Sequence, residues 1–215
     1  MAEKPISPIG FRIKKLYQVP LLWYNKSIIS KDVERMKLMI ASDIHGSATY
    51  CKELLAAFEK EQPKKLVLLG DILYHGPRND LPAGYAPKEV IAMLNPLAEH
   101  LLCVRGNCDT EVDQMVLEFP VLADYGILFD EDTTIYITHG HVVSPENPVK
   151  GCKGCLLLGG HTHVPTVLEK EDFVYANPGS VSIPKENSPH SYMIYENKTL
   201  TWKSLDGEEY KKYTL

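Results

Sequence analysis

Long hydrophobic runs are missing from this chain: no stretch approaches the ~18–20 apolar residues that a membrane-spanning helix needs. A secretory leader is not expected either. The apolar stretch nearest the start, Val19-Pro20-Leu21-Leu22-Trp23, is shorter than the ~7–15-residue core of a signal peptide, and no small-residue cleavage site follows it. The reading is a cytoplasmic protein with no membrane partner. Positive charge is also in short supply. A formal net charge of -5 argues against general nucleic-acid affinity, which requires a basic face. Cysteine is sparse, with five residues at irregular spacing, and an odd, irregular set excludes the disulfide framework of a small secreted domain. Cys152-Lys153-Gly154-Cys155 stands alone. Zinc would need a second such pair, and a thioredoxin-like site would need the motif to open a helix. Here it runs into Leu156–Leu158, so it reads as a loop-to-strand junction. Internal repeats and low-complexity tracts are absent as well.

What remains is an ordinary globular composition, 44% hydrophobic and 24% charged over 215 residues, enough for one α/β domain with a substantial core. Residues 1–35 differ from the rest. They combine Pro5, Pro8 and Pro20 with seven Lys/Arg against three Asp/Glu, without a clear period, and are expected to be a peripheral or poorly structured N-terminal extension. The domain is expected to span 36–215. Its acidic balance is compatible with bound divalent cations.

From Met36 the chain alternates. Residues 37–42 predict a strand, 48–61 a helix with Leu54, Leu55 and Phe58 on one face, and 65–69 a strand buried on both faces. A Pro- and Gly-bearing loop (74–86) precedes a helix near 87–99, a strand at 101–104 and a short acidic helix after Asp109. The second half is strand-rich, with runs at 134–138, 155–159, 172–176, 191–196 and 199–205. The last two are joined by a tight Asn197-Lys198 turn. Early βαβ alternation followed by consecutive strands implies two stacked sheets with helices outside. Tyr192, Tyr195 and Trp202 read as hairpin core, because they lack the flanking basic residues of a base-stacking platform.

Five clusters of Asp, Asn or His beside Gly recur at predicted strand ends: Asp43-Ile44-His45-Gly46, Gly70-Asp71, Gly106-Asn107, His139-Gly140-His141 and Gly160-His161-Thr162-His163. Each alone could be a turn, a cap or a surface residue. Together they supply hard oxygens and imidazoles at successive strand ends, where parallel sheets place ligands. Residues i and i+2 of a strand face one side, so Asp43 and His45 can converge on one cation. Asp71 can bridge two. Two divalent ions can polarise a phosphoryl oxygen and activate a water between them. Mixed Asp/Asn/His ligation without thiolate suits Mn²⁺, Fe or Zn²⁺. Asn177-Pro178-Gly179-Ser180 reads as a shaped turn near this site.

In order and spacing these clusters, with Gly106-Asn107-Cys108-Asp109, resemble the signature of the calcineurin-like metallophosphoesterases over about residues 36–205. His75-Gly76-Pro77-Arg78-Asn79, Val104–Asp109 and Asn177–Lys185 are closer to its small bacterial YfcE-type phosphodiesterases. The resemblance implies a four-layer αββα sandwich of two mixed β-sheets. It also implies a dinuclear centre, most readily with Mn²⁺, and with Zn²⁺, Fe or Mg²⁺ as alternatives. One ion would take Asp43, His45, Asp71 and His163; the other would take Asp71, Asn107, His139 and His161. His141 would stand outside the ligand set. The implied activity is hydrolysis of a small phosphodiester by a bridging hydroxide, and the implied assembly is a homodimer or higher homo-oligomer.

The chain departs from the wider pattern at one position. Many members carry His after Gly-Asn, where this chain has Cys108, and a thiol is a poor proton donor to an alkoxide. His75 and Arg78 are the candidates to take over leaving-group or phosphate contacts, Arg78 bidentately. A phosphomonoesterase with the same metals and a non-catalytic interaction scaffold of this fold are the competing readings.

Overall fold

In the run Lys37-Leu38-Met39-Ile40-Ala41 every residue after the first is buried, and the side chains divide between two cores. Alternate residues of a strand face opposite sides. Leu38 and Ile40 therefore enter one apolar cluster while Met39 and Ala41 enter another, which places this strand, β1, inside a sheet covered on both faces. The computed structural model describes residues 36–215; the extension expected at 1–35 lies outside the described residues.

Strands β2 (Lys65–Leu68) and β3 (Leu101–Cys103) continue the sheet in parallel on one side of β1. On the other side β9 (Ser191–Glu196), β10 (Thr199–Ser204) and β11 (Glu209–Thr214) add antiparallel strands, giving the order β11-β10-β9-β1-β2-β3. A second mixed sheet follows the order β4-β5-β6-β8-β7. Its strands are β4 (Tyr125–Asp130), β5 (Thr133–Thr138), β6 (Cys155–Leu158), β7 (Thr166–Glu169) and β8 (Phe173–Asn177). The sheets face each other through Leu38, Ile40, Val67, Ile135, Ile137, Leu156, Leu158 and Trp202, so the sandwich of two mixed sheets expected from the sequence is the observed architecture.

Helix α1 (Ala48–Glu61) begins at Ser47, whose hydroxyl accepts the Tyr50 N–H at 3.3 Å and so caps an otherwise unpaired donor. With α2 (Pro87–Leu94) it buries Leu54, Ala57, Val90 and Leu94 on the Met39 side of the first sheet. The helix expected to run to residue 99 keeps α geometry only to Leu94 and continues as a 3₁₀ turn over Asn95–His100. Pro96 lacks the N–H that the α ladder requires there. Helix α3 (Glu111–Val116) is held by a reciprocal Thr110–Asp113 capping box. Outside the second sheet lies a loop, from which Val143, Val149 and Cys152 pack on Leu157 and Tyr175; Pro145, Pro148 and Gly151 interrupt any helical run in it. The junction at Cys152 and Cys155 is closed by a disulfide, with Cys51, Cys103 and Cys108 free.

Three strands carry no sequence expectation: β4, β7 and β11. All three lie at sheet edges, where one or both faces meet solvent and no continuous apolar run is needed. The hairpin core is as expected, with Tyr192, Tyr195 and Trp202 buried. Among the described residues no helix is long and apolar enough to cross a membrane.

Candidate metal centre

Because β1, β2 and β3 run parallel, the loops after them open on one edge, and backbone bonds knit those loops together. His45 N–H donates to the Asp71 carbonyl at 2.9 Å, and Gly46 N–H to that of Ile72 at 2.8 Å. Asp43, His45, Asp71, His161 and His163 all hold left-handed backbones, with φ between 50 and 66°. Such conformations are uncommon outside glycine and mark places where surrounding structure dictates the chain path. Two glycines make the loops' closeness achievable. A Cβ on Gly106 would sit 2.1 Å from Asp71 Oδ1, and one on Gly160 would sit 1.9 Å from Ser42 Oγ.

The two buried carboxylates divide their oxygens in the same way. Asp43 Oδ2 accepts the His161 N–H at 3.1 Å, while Oδ1 has no hydrogen-bond partner and faces the Nε2 atoms of His163 (3.3 Å) and His45 (3.5 Å). Asp71 Oδ1 accepts the Cys108 N–H at 2.8 Å, while Oδ2 faces Nε2 of His139 (3.5 Å) and of His45 (3.8 Å). One oxygen of each pair is tied to backbone and the other is presented to imidazoles. Burial alone would raise the Asp43 pKa; the neighbouring His163 and His45 more than offset it and hold the carboxyl well below its ordinary value. For His45, burial works against the charged form, but Asp43 prevails and raises the imidazole pKa.

Three imidazoles are oriented by main-chain carbonyls, which can only accept. Nδ1–H of His45 donates to Tyr74 O (2.8 Å), that of His139 to Leu69 O (2.7 Å) and that of His163 to Ile183 O (2.6 Å). This assigns the tautomer and leaves Nε2 as the lone-pair atom, the usual arrangement of metal-binding histidines. The Nε2 atoms of His45 and His163 then face each other at 3.3 Å, an arrangement that a shared proton or cation must relieve. A second such locus surrounds His139 Nε2, which faces Asn107 Oδ1 at 3.0 Å and His161 Nδ1 at 3.2 Å. The donor set is hard oxygen and imidazole, and the sets Asp43/His45/His163 and Asp43/Asp71/His139 each converge closely enough to hold one ion. These residues fit divalent cations. All seven sequence-expected ligands lie together, with Asp71 between the two loci. His141 is exposed, its ring 5.3 Å from that of His139.

Residues 36–200 match the model of the calcineurin-like phosphoesterase superfamily domain. The chain belongs to that superfamily. It is 45% identical over 173 residues to phosphodiesterase YfcE of Escherichia coli K12, covering 80% of this chain and 94% of that protein. The solved structure of YfcE, described as a phosphoesterase from E. coli, superimposes with a TM-score of 0.80 at 44% identity over 83% of this chain and 99% of that one. Vacuolar protein sorting 29 from Cryptosporidium parvum shares the fold at TM-score 0.55 and 19% identity, over 84% of this chain and 99% of that one.

Around the superfamily site lies a cavity of about 480 Å³, lined by Asp71, Arg78, Asn107, Cys108, His161, His163 and Lys185 among others. Arg78 therefore stands at the cavity, exposed. His75 does not line it; its ring lies edge-on to Tyr74 and Tyr85, with centroids 4.8 and 5.2 Å away. Cys108 is buried, and burial together with the Asp71 charge pushes its thiol up to about 12, so it is neutral near pH 7. The turn at Asn177 braces both halves of the site. Asn177 Nδ2 donates to Gly160 O (2.6 Å) and Thr162 Oγ1 (3.0 Å), and the hydroxyls of Ser180 and Ser182 each donate to Asp43 O at 3.0 Å. Sequence reasoning missed Asp109. It is buried, and its carboxylate accepts three main-chain N–H groups around Asp71 and Gly106. The only signal was an acidic residue inside Gly-Asn-Cys-Asp, and an acidic residue in a loop ordinarily means solvent.

Proposed function

We propose that the chain is a metal-dependent phosphodiesterase that hydrolyses a small phosphodiester at a two-cation centre, with Mn²⁺ the first ion to test and Zn²⁺, Fe²⁺ and Mg²⁺ next. The observation that carries this reading is the pair of Nε2 lone pairs, His45 against His163, held 3.3 Å apart by Nδ1–H bonds to backbone. When bound, the ions supply Lewis acidity, which activates a water and offsets charge on the phosphoryl oxygens. The chain's own residues do the rest. Asp43 and Asp71 present one free oxygen each, and His45, His139, His161 and His163 present nitrogen. Asn107 projects its amide beside His139, where it can contact a phosphoryl oxygen. Arg78, at the cavity wall, pairs a non-bridging oxygen of the scissile group and orients it for in-line attack.

The preference for diesters rests on Cys108. Its neutral thiol does not repel the phosphate, and as a far weaker acid than an imidazolium it gives a departing alkoxide less help than a histidine there would. A diester with an acidic leaving group needs no such proton, and the relative YfcE is named a phosphodiesterase. The test compares bis(4-nitrophenyl) phosphate with 4-nitrophenyl phosphate, using the full chain loaded in turn with each of the four metals. The diester should turn over at least about tenfold faster with one or more of them. A faster monoester, or no metal uptake at all, would sink the proposal.

A further inference from the structure

We infer that Lys185 is a specificity residue: it recognises a second anionic group, a carboxylate or a phosphate, borne by the substrate beside its scissile phosphodiester. The inference rests on the phosphodiesterase reading above and deepens it.

Lys185 is fixed to the metal centre through its backbone. Its N–H donates to the carbonyl of His163 at 3.2 Å, and its own carbonyl accepts from Ser188 N–H (3.0 Å) and Ser188 Oγ (2.6 Å). Two residues before it, Ile183 O holds Nδ1 of the same His163 at 2.6 Å. Glu186 and Asn187, both left-handed with φ of 56 and 58°, fold the chain back immediately after it. The start of the side chain is therefore as well placed as the ligand it adjoins. The side chain lines the cavity that also presents Arg78 and Asn107. Neither the ammonium of Lys185 nor the guanidinium of Arg78 has a hydrogen bond or ion pair among the described residues, although acidic side chains outnumber basic ones, 28 to 23, in the whole chain.

Charge balance says what these cations await. With two divalent ions bound, the buried carboxylates of Asp43, Asp71 and Asp109, a hydroxide nucleophile and the single charge of a phosphodiester would leave one negative charge, which Arg78 at the cavity wall answers. Arg78 strengthens the grip on that diester, and the charge on Lys185 is left over. Lys185 is exposed at the cavity rim, where an unmatched ammonium favours an anionic partner over a neutral one of the same shape. A substrate with a second anionic group supplies that partner.

The test uses three 4-nitrophenyl diesters with one leaving group and different second arms: propyl, 2-carboxyethyl and 2-phosphonooxyethyl. The unreactive methylphosphonate monoesters bearing the same arms serve as binding probes. Wild type should show a KM at least about tenfold lower for one or both charged arms than for propyl, and the better charged arm identifies the anion. Lys185→Ala should raise that KM about tenfold with kcat unchanged and leave the propyl diester within about twofold, while Lys185→Arg should retain the preference. Calorimetric Kd values for the phosphonates should follow the same pattern. Equal KM and Kd values for all arms in wild type, or equal losses on every arm in Lys185→Ala, overturn the inference. If no diester is hydrolysed with any metal, the phosphodiesterase reading fails by itself. The phosphonate Kd values then decide for or against Lys185 alone.

Discussion

The carboxylate of Asp109 accepts the backbone N–H of Asp71 at 2.8 Å, and with it those of Ile72 (2.9 Å) and Gly106 (2.7 Å). It thus ties the loop after β2 to the loop after β3 at Asp71, which lies between the two candidate cation loci. Groups that orient ligands typically account for about 10–100-fold in metal affinity. Asp109→Ala should therefore weaken metal binding by that factor, read by calorimetric titration, while far-UV circular dichroism stays close to wild type. Asp109→Asn, which keeps part of the acceptor set, should fall between the two. Unchanged affinity in both variants would refute the bracing role.

Asp43 faces both His45 and His163, so its removal should have two separable effects. Asp43→Asn should lower hydrolysis by at least about a hundredfold and reduce the bound metal by one ion per chain. In the metal-free protein the imidazole of His45, raised chiefly by this carboxylate against the opposing effect of burial, should titrate at lower pH. An NMR titration of the His ring protons checks this. An unmoved His45 would show that the charge of Asp43 is not what raises it.

Cys108 lines the cavity with its thiol held neutral by burial and by Asp71. An imidazole there could give a proton to a poor leaving group, a contribution of about 10²–10⁴ in favourable cases. Cys108→His should accordingly gain at least about tenfold in kcat/KM on an alkyl phosphate monoester and little on bis(4-nitrophenyl) phosphate. If the monoester gains nothing, Cys108 does not set the diester preference.

Away from the centre, Glu61 at the end of α1 gathers three donors. Lys203 Nζ (2.6 Å) and Tyr192 OH (3.1 Å) reach Oε1, and Lys37 Nζ (3.1 Å) reaches Oε2. Burial opposes ionisation, but these partners prevail and lower the pKa of this carboxyl. A depressed carboxyl stabilises the fold at pH values above its unfolded pKa, and the contribution fades as pH falls through the folded value. Glu61→Gln should cost about 1–2 kcal/mol at pH 7, with the difference shrinking below about pH 4, near the unperturbed Glu value. Urea unfolding at pH 7 and pH 3.5 measures it; a pH-independent difference would assign the effect to packing.

The central strands and the ligands were legible in the sequence for one reason. β1, β2 and β6 are buried almost throughout and read as short apolar runs, and β5 places Ile135 and Ile137 inward with Tyr136 half-buried between them; each is followed by its Asp or His. The edges were not legible. In β4, Tyr125, Ile127 and Phe129 are exposed and the intervening residues half-buried, so the strand is defined by pairing with β5 and not by its composition. The 3₁₀ stretch after Leu94 turns on a single missing N–H at Pro96. Asp109 and Lys185 escaped notice because their roles depend on which backbone groups the fold brings to them. Residue type says nothing of that.

The left-handed backbones of the ligand residues set folding against catalysis. Asp and His tolerate that conformation better than most residues, yet each still lies about 1 kcal/mol or more above what glycine would cost there. His45 and His163 are buried against the Asp43 carboxylate, so glycine in either place would relieve that strain yet leave a cavity and an uncompensated buried charge. Strain and site are therefore inseparable: the residues that distort the loops are the ones that satisfy the carboxylate at their centre.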